Sequence, residues 1–255
     1  MSDKGRLSGS VAIVTAGGQG IGETISKTYA REGAAVAVVD LDRAEAERVA
    51  KEIESAGGKA LALAVDVTKT QAVNDMVKTV VERFGTVDIL VNAAGGFHQL
   101  AQITDITDEE WDRVITLNLK TCFLCSRAVA PIMMARRKGR IVNIASGSGI
   151  APNPFAPTYL PYGAAKAGVI NMTKILGRDL GPYGITVNAI SPGTTATPRV
   201  VKVRDEASRK KIADQNPMRC LVEPQDSAEA ALFLASPEAR CITGVNLNVN
   251  AGNLM

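Results

Sequence analysis

Tyr162 and Lys166 stand four residues apart in the stretch LPYGAAKAG, residues 160–168. On an α-helix that spacing places two side chains on one face, so a phenol and an ammonium would be neighbours. A phenol ordinarily titrates near 10, and a cation held beside it stabilises the phenolate. The pair is therefore suited to moving a proton. A second tyrosine, Tyr159, lies three residues earlier and competes for the role. Proline favours the first helical position and drives the residue before it out of helical space. Pro161 thus predicts a helix that begins at about that residue, with Tyr162 in its first turn and Tyr159 outside it. Tyr159 would have Gly163 at its i+4 position, and only Tyr162 has the lysine as a partner.

Other chemistries have little to work with. His98 is the only histidine, so a Ser-His-Asp hydrolase or a zinc site would have to be built around that one residue, and no metal is expected. Cys122 and Cys125 form a CxxC with no second ligand pair, inside LNLKTCFLCSRAVA, where i and i+3 share one face of an apolar helix. Packing is the expected role, and four cysteines in 255 residues fit reduced thiols better than a disulfide framework. With 29 basic and 26 acidic side chains the net charge is +3, a near balance that gives no footprint for nucleic acid. The polar start MSDKGRLSGS and the short apolar run after it suit neither a signal peptide nor a membrane span, so a soluble, cytoplasmic protein acting on a small molecule is expected.

The elements that must position Tyr162 and Lys166 follow a regular rhythm. Short β-branched runs at 11–15, 35–40, 60–67, 87–92, 140–146, 185–191 and 244–249 alternate with longer helical patterns. In QAVNDMVKTVVERFG the residues Val73, Met76, Val77, Val80, Val81 and Phe84 form the stripe of a helix lying on a sheet. Seven strands with crossover helices predict an α/β fold: one doubly wound, Rossmann-type parallel sheet with helices on both faces, spanning residues 1–255 as a single domain. Two stretches read as irregular, residues 147–161 with four prolines and the charged segment 198–220.

The first strand runs into TAGGQGIG, Thr15 to Gly22, and then a helix. In a doubly wound fold this is where a dinucleotide pyrophosphate sits on helix N-terminal amides. The strict GxGxxG spacing is absent, but Asp40 ends the second strand about 20 residues on, where a carboxylate can accept from the adenosine ribose hydroxyls. A 2′-phosphate placed about 4 Å from Asp40 would meet repulsion on the order of 4 kcal/mol at an effective dielectric near 20. Arg43 is the closest base in sequence and opens the next helix, so NAD is expected rather than NADP.

Taken in order, these motifs resemble the short-chain dehydrogenase/reductase family in its compact form. TAGGQGIG resembles its TGxxxGxG turn, VNAAG (91–95) its NNAG segment, YGAAK its YxxxK, and SPGTTAT (191–197) its PG motif after the sixth strand. The resemblance implies an NAD-dependent enzyme moving a hydride between nicotinamide and a secondary alcohol or ketone, with a 3-oxoacyl thioester (carrier-protein or coenzyme A) reductase as the alternative, and a homotetramer. It implies Tyr162 as general acid/base, Lys166 as its electrostatic partner and ribose ligand, Ser146 to orient the substrate oxygen, and Asn118 to complete a proton relay. It implies cofactor contacts from Thr15, Gly17, Gln19, Gly20, Ile21 and Gly22 in the turn, and from Asp40. Further contacts are implied for Asp66 and Val67 at the adenine, for Asn92, Ala93, Ala94 and Gly95 along the central strand, and for Pro192, Gly193, Thr195 and Thr197 at the carboxamide end.

Three departures from the family pattern carry expectations of their own. Ala16 stands where the family has its first glycine, and a positive φ there would cost an alanine about 1 kcal/mol or more. Ala93 replaces the second asparagine of NNAG. The stretch between Ser146 and Tyr162 is longer than is usual, which alters the pocket wall rather than the chemistry. For that wall the expectation is Phe155 and Tyr159 on one side and Phe97 and His98 on the other. Segment 198–220 carries seven basic and three acidic residues; the resemblance implies a lid over the substrate there, its charge expected to be simply solvated, with the alternative that Arg199 attracts an anionic group.

Overall fold

A computed structural model describes residues 5–96, 100–152 and 159–254, the side chains of Arg199 and Val203 excepted. Seven strands form one sheet: β1 (Val11–Thr15), β2 (Ala35–Asp40), β3 (Lys59–Ala64), β4 (Ile89–Asn92), β5 (Gly139–Ile144), β6 (Ile185–Pro192) and β7 (Asn246–Val249). They lie in the order β3-β2-β1-β4-β5-β6-β7, and every pairing is parallel. The chain direction across the sheet reverses between β1 and β4, which opens a crevice at their carboxyl ends.

The helices are α1 (Gly20–Arg31), α2 (Arg43–Ser55), α3 (Thr70–Phe84), α4 (Asp108–Ile115), α5 (Thr121–Arg136), α6 (Leu160–Leu180), α7 (Pro198–Val203), α8 (Glu206–Gln215) and α9 (Pro224–Ala235). Period-2 alternation along the strands sends side chains to both faces. Ala12 and Val14 of β1 join Ile25, Tyr29, Val49, Ile53, Ala231 and Leu232 from α1, α2 and α9 in one apolar layer. Val11 and Ile13 join Val73, Met76, Val77, Val80, Leu124 and Val129 from α3 and α5 in the other. The stripe read along α3 is thus the buried one, with Val81 and Phe84 at its half-buried edge.

The strands differ from the sequence reading at their ends. β3 stops at Ala64 because the Asp66 carboxylate turns back to accept from the Thr68 amide and hydroxyl, at 3.0 and 2.6 Å, closing a local turn. β5 stops at Ile144, leaving Ser146 to cap a short 3₁₀ turn over Gly147–Gly149. β7 begins at Asn246, after Gly244 with φ 74°. Segment 198–220, read as irregular, contains α7 and α8, because Thr197 and Asp205 accept from the amides of Val200 and Ser208 as N-caps. No helix among the described residues is long and apolar enough to cross a membrane.

Candidate active site

The sheet delivers its polar residues to one edge. Thr15, Asp40, Asn92 and Pro192 end β1, β2, β4 and β6, and Asp66 and Ser146 lie two residues beyond β3 and β5. The tight turn after β1 explains the glycines. Ala16 has φ 49°, so the residue that departs from the family's glycine does occupy left-handed space. A Cβ on Gly22 would lie 2.0 Å from the Ala16 carbonyl oxygen, so only glycine lets α1 start this close to the strand. Gln19 precedes the helix in extended backbone and gives no side-chain acceptor to its first-turn amides. Those amides are a donor set matched to a pyrophosphate, and the absence of room for a Cβ in the cradle fits close backbone approach.

Thr15 ties the turn to the central strand. Its hydroxyl donates to the Val91 carbonyl at 3.2 Å and accepts from the amides of Ala93 and Ala94, at 2.9 and 3.2 Å. Asn92 donates to Asn143 Oδ1 at 2.8 Å and to Ser126 at 3.2 Å, and Asn143 donates to Thr173 at 2.9 Å. This buried chain joins β4, β5, α5 and α6 and supports the end of the central strand. At the end of β2, Asp40 accepts from the Gly18 amide at 3.0 Å and from the Asp42 amide at 3.1 Å. The Thr68 hydroxyl holds the Asp66 carboxyl below its ordinary range.

The helix that carries the tyrosine begins one residue earlier than predicted, at Leu160, with Pro161 in its first turn. A one-residue shift at a helix start is within the ordinary ambiguity of such boundaries. Tyr159 is the residue before it, with φ −78° and ψ 115°, so the two tyrosines separate as expected. The Lys166 ammonium lies 5.6 Å from the centre of the Tyr162 ring and donates to the Ile144 carbonyl at 2.7 Å. Tyr162 is half-buried, whereas Lys166 is buried. Tyr159 is buried as well, its hydroxyl donating to Glu110 on α4 at 2.9 Å. Burial and that carboxylate both push its phenol upward in pKa.

Asn118 sits in a wide turn, Thr116–Lys120, of π-helical geometry between α4 and α5. Its side chain accepts from the Gly96 amide at 2.7 Å and donates to the Gly96 and Val114 carbonyls, at 2.8 and 2.9 Å. A Cβ on Gly95 would lie 2.7 Å from Asn118 Oδ1 and 3.0 Å from Lys166 Nζ, so these three residues converge on one spot. Ser146 is half-buried and accepts from the Ser148 amide at 3.2 Å. Across the crevice, Thr197 packs against Gly20, whose Cβ position is 3.3 Å from Thr197 Cγ2. Val222 bonds to Thr194 and Ala196, and the Gly193 amide donates to Val249, which fixes the PG segment over the glycine turn. Ile21 and Ala93 pack partly against the layer formed with α1, α2 and α9, and Val67 and Ala94 are buried in the layer formed with α3 and α5.

Sequence reasoning missed three contacts. Arg48 on α2 donates to the Gly18 carbonyl at 2.9 Å. Gly149 packs on α6, with its Cβ position 2.5 Å from the Lys166 carbonyl carbon. Leu254 reaches Gly147 beside Ser146, with its Cδ1 2.9 Å from that glycine's Cβ position. All three depend on tertiary packing between distant segments, and no local spacing announces them. Phe97, His98 and Phe155, expected in the pocket wall, lie outside the described residues, as does the side chain of Arg199. The paired cysteines, Cys122 and Cys125, are free and buried, and burial pushes the Cys125 thiol up to about 12.

This arrangement gathers a phenol, an ammonium, a hydroxyl and an amide at the carboxyl edge of the sheet, beside the glycine turn that opens α1. A family model described as enoyl-(acyl carrier protein) reductase matches residues 15–253. The chain is 36% identical over 247 residues to the 3-oxoacyl-[acyl-carrier-protein] reductase FabG of Thermotoga maritima, covering 97% of this chain and 98% of that one. It is 36% identical over 242 residues to the (2S)-[(R)-hydroxy(phenyl)methyl]succinyl-CoA dehydrogenase subunit BbsD of Thauera aromatica, covering 95% of both. Among solved structures, a 7α-hydroxysteroid dehydrogenase complexed with NADH and 7-oxo glycochenodeoxycholic acid superposes with a TM-score of 0.91 at 35% identity, over 97% of this chain and 95% of that one. The Tyr162/Lys166 pair, the glycine turn, the all-parallel sheet and these near full-length matches make the chain a member of the short-chain dehydrogenase/reductase family of oxidoreductases.

Proposed function

We propose that this enzyme interconverts a secondary alcohol and a ketone with NAD, Tyr162 serving as general acid/base. The observation that carries the reading is the convergence of Tyr162, Lys166, Asn118 and Gly95 at the carboxyl edge of the sheet. When bound, a nicotinamide cofactor supplies or accepts the hydride. The first-turn amides of α1 and the Asp40 carboxylate would hold it, with Thr197 closing over the turn. Ser146 would orient the substrate oxygen by hydrogen bonding. In reduction the Tyr162 phenol donates its proton to that oxygen; in oxidation the phenolate takes the alcohol proton. Lys166, fixed on the Ile144 carbonyl, stabilises the phenolate by its charge, and Asn118 holds the turn at Gly96 against which the relay is built. α7 and α8 would act as the lid, and assembly as a homotetramer belongs to the same reading.

A second reading is favoured by the relatives' names. FabG is a 3-oxoacyl-thioester reductase by name and BbsD a coenzyme A thioester dehydrogenase. Carbon 3 of such a substrate is itself a ketone or secondary alcohol, so the proton chemistry at Tyr162 is the same. The two readings part at the cofactor and at the acyl carrier. Asp40 beside the Gly18 amide favours NAD, and the hydroxysteroid dehydrogenase structure contains NADH.

The test is a panel of neutral secondary alcohols, anionic ones and 3-oxoacyl thioesters, each with NAD(H) and NADP(H), on wild type and two variants. Tyr162→Phe should lower turnover by about 10² or more with cofactor Kd retained. Tyr159→Phe should retain turnover and lower stability by about 1 kcal/mol through its lost bond to Glu110. Turnover that falls further in Tyr159→Phe than in Tyr162→Phe would reverse the assignment. Preference for a thioester with NADPH would select the second reading.

A further inference from the structure

An arginine at the adenosine end is fully engaged by carboxylates. The Arg48 Nε donates to Glu45 at 2.9 Å, Nη1 to Glu23 at 3.0 Å and Glu52 at 2.9 Å, and Nη2 to Glu23 at 3.1 Å, Glu45 at 2.8 Å and the Gly18 carbonyl at 2.9 Å. Lys27 joins the same cluster, 2.6 Å from Glu23 and 2.5 Å from Glu52. The hub thus cross-links α1, α2 and the glycine turn. Gly18 is held at both backbone groups, its amide by Asp40 and its carbonyl by Arg48. Glu45 lies against the same spot: a Cβ on Gly18 would be 2.9 Å from Glu45 Cβ and 3.0 Å from Asp40 Oδ2.

The charges around Gly18 do not balance. Four carboxylates, on Glu23, Asp40, Glu45 and Glu52, stand against two cations, Lys27 and Arg48, leaving two negative charges in excess. An arginine is the side chain best matched to a phosphate, and this one has its donors committed elsewhere. Arg43, the base nearest in sequence to Asp40, is paired with Glu47 at 3.5 Å.

We propose that the Glu23–Glu45–Arg48 hub is a second determinant of cofactor choice beside Asp40: the carboxylates keep Arg48 on the Gly18 carbonyl as a positioning residue and add negative charge that repels a 2′-phosphate. The proposal rests on the reading of the glycine turn as an NAD site. Loosening the carboxylate hold on the guanidinium makes the same arginine available to a phosphate, so the isosteric change Glu45→Gln, which removes one of its three carboxylates, should move the enzyme toward NADP without any change at Asp40. Arg48→Met should weaken NADH and NADPH alike, because the Gly18 carbonyl loses its anchor.

The experiment measures Kd for NADH and NADPH by calorimetry without substrate, and kcat/KM for both, in wild type, Glu45→Gln, Glu23→Gln, Arg48→Met and the double variant Glu45→Gln/Arg48→Met. Thermal unfolding checks that each is folded. Expected is a rise of about tenfold in the NADPH-to-NADH affinity ratio in Glu45→Gln, equivalent to about 1.4 kcal/mol, that disappears in the double variant. A rise of the same sign is expected in Glu23→Gln, which keeps the proposal testable should Glu45→Gln fail to fold. A wild type preferring NADPH would overturn the NAD reading. A wild type preferring NADH whose ratio does not change in either glutamine variant, or a gain that survives loss of Arg48, would overturn the hub proposal alone.

Discussion

Gly22→Ala places the smallest possible probe in the turn proposed to cradle the cofactor. The added Cβ would sit 2.0 Å from the Ala16 carbonyl oxygen and 2.8 Å from its carbon, where ordinary contact begins at 3.4 Å. The turn must therefore open by about 1.4 Å, and both partners are backbone, which cannot rotate aside. Overpacking of this kind costs about 1–3 kcal/mol, or several degrees in Tm for a chain of this size at about 2–4 °C per kcal/mol. The binding effect should be larger in consequence. Hydrogen bonds to a charged acceptor need donors within about 3.2 Å, and a displacement of more than an ångström removes at least one, worth about 1.5–3 kcal/mol. NADH should therefore bind roughly 10- to 100-fold more weakly, as read by fluorescence titration. Gly9→Ala is the control: with φ 77° and nothing within 4 Å of its Cβ position, it carries backbone strain but no overlap, and should leave the NADH Kd at its wild-type value. A Gly22→Ala enzyme that binds NADH as wild type does, with Tm lowered, would refute the assignment of the α1 amides to the cofactor.

Two further outcomes test the supporting structure. Asn92→Ala removes the donor that satisfies Asn143 Oδ1 in a fully buried chain, so unfolding stability should fall by about 1–3 kcal/mol, measured by denaturant titration; an unchanged midpoint would mean the chain is not coupled to the fold. A disulfide-exchange reagent at pH 8 should label Cys220 and Cys241, which are exposed, and reach Cys122 and Cys125 only after unfolding, since both are buried and burial raises both thiols; rapid native labelling of all four would contradict the packing role.

Much of this site was legible in the sequence because its cues are local. Pro161 placed the helix start to within one residue, and an i,i+4 spacing then selected Tyr162 over Tyr159 by geometry alone. Asp40 could be picked out because a strand end and a glycine turn stand at a fixed distance in a doubly wound unit. Strand ends were less legible: Asp66 and Ser146 looked like strand residues, yet side-chain bonds to the amides of Thr68 and Ser148 take the backbone out of the ladder there. The Arg48 hub lay beyond reach for another reason. Arg43 was nearest to Asp40 along the chain, but one helical turn and a half later along α2 it is Arg48 that faces the Gly18 carbonyl, and only the packing of α2 beside α1 decides that.

The wide turn at Thr116–Lys120 has a consequence for how this protein can vary in length. A π-type turn holds one residue more than an α-turn, so α4 and α5 read as one rod into which a single residue has been inserted, with Asn118 in the inserted turn. Each residue of an α-helix advances the side chains by about 100°. Deleting one residue from 116–120 would restore an unbroken helix while swinging all of α4 by about that angle relative to α5. The Glu110 carboxylate would leave the Tyr159 hydroxyl and the Asn118 amide would leave Gly96. A gene losing that codon would encode a more regular helix whose Asn118 and Glu110 no longer meet Gly96 and Tyr159, so the length of this segment is fixed by the contacts at its two ends.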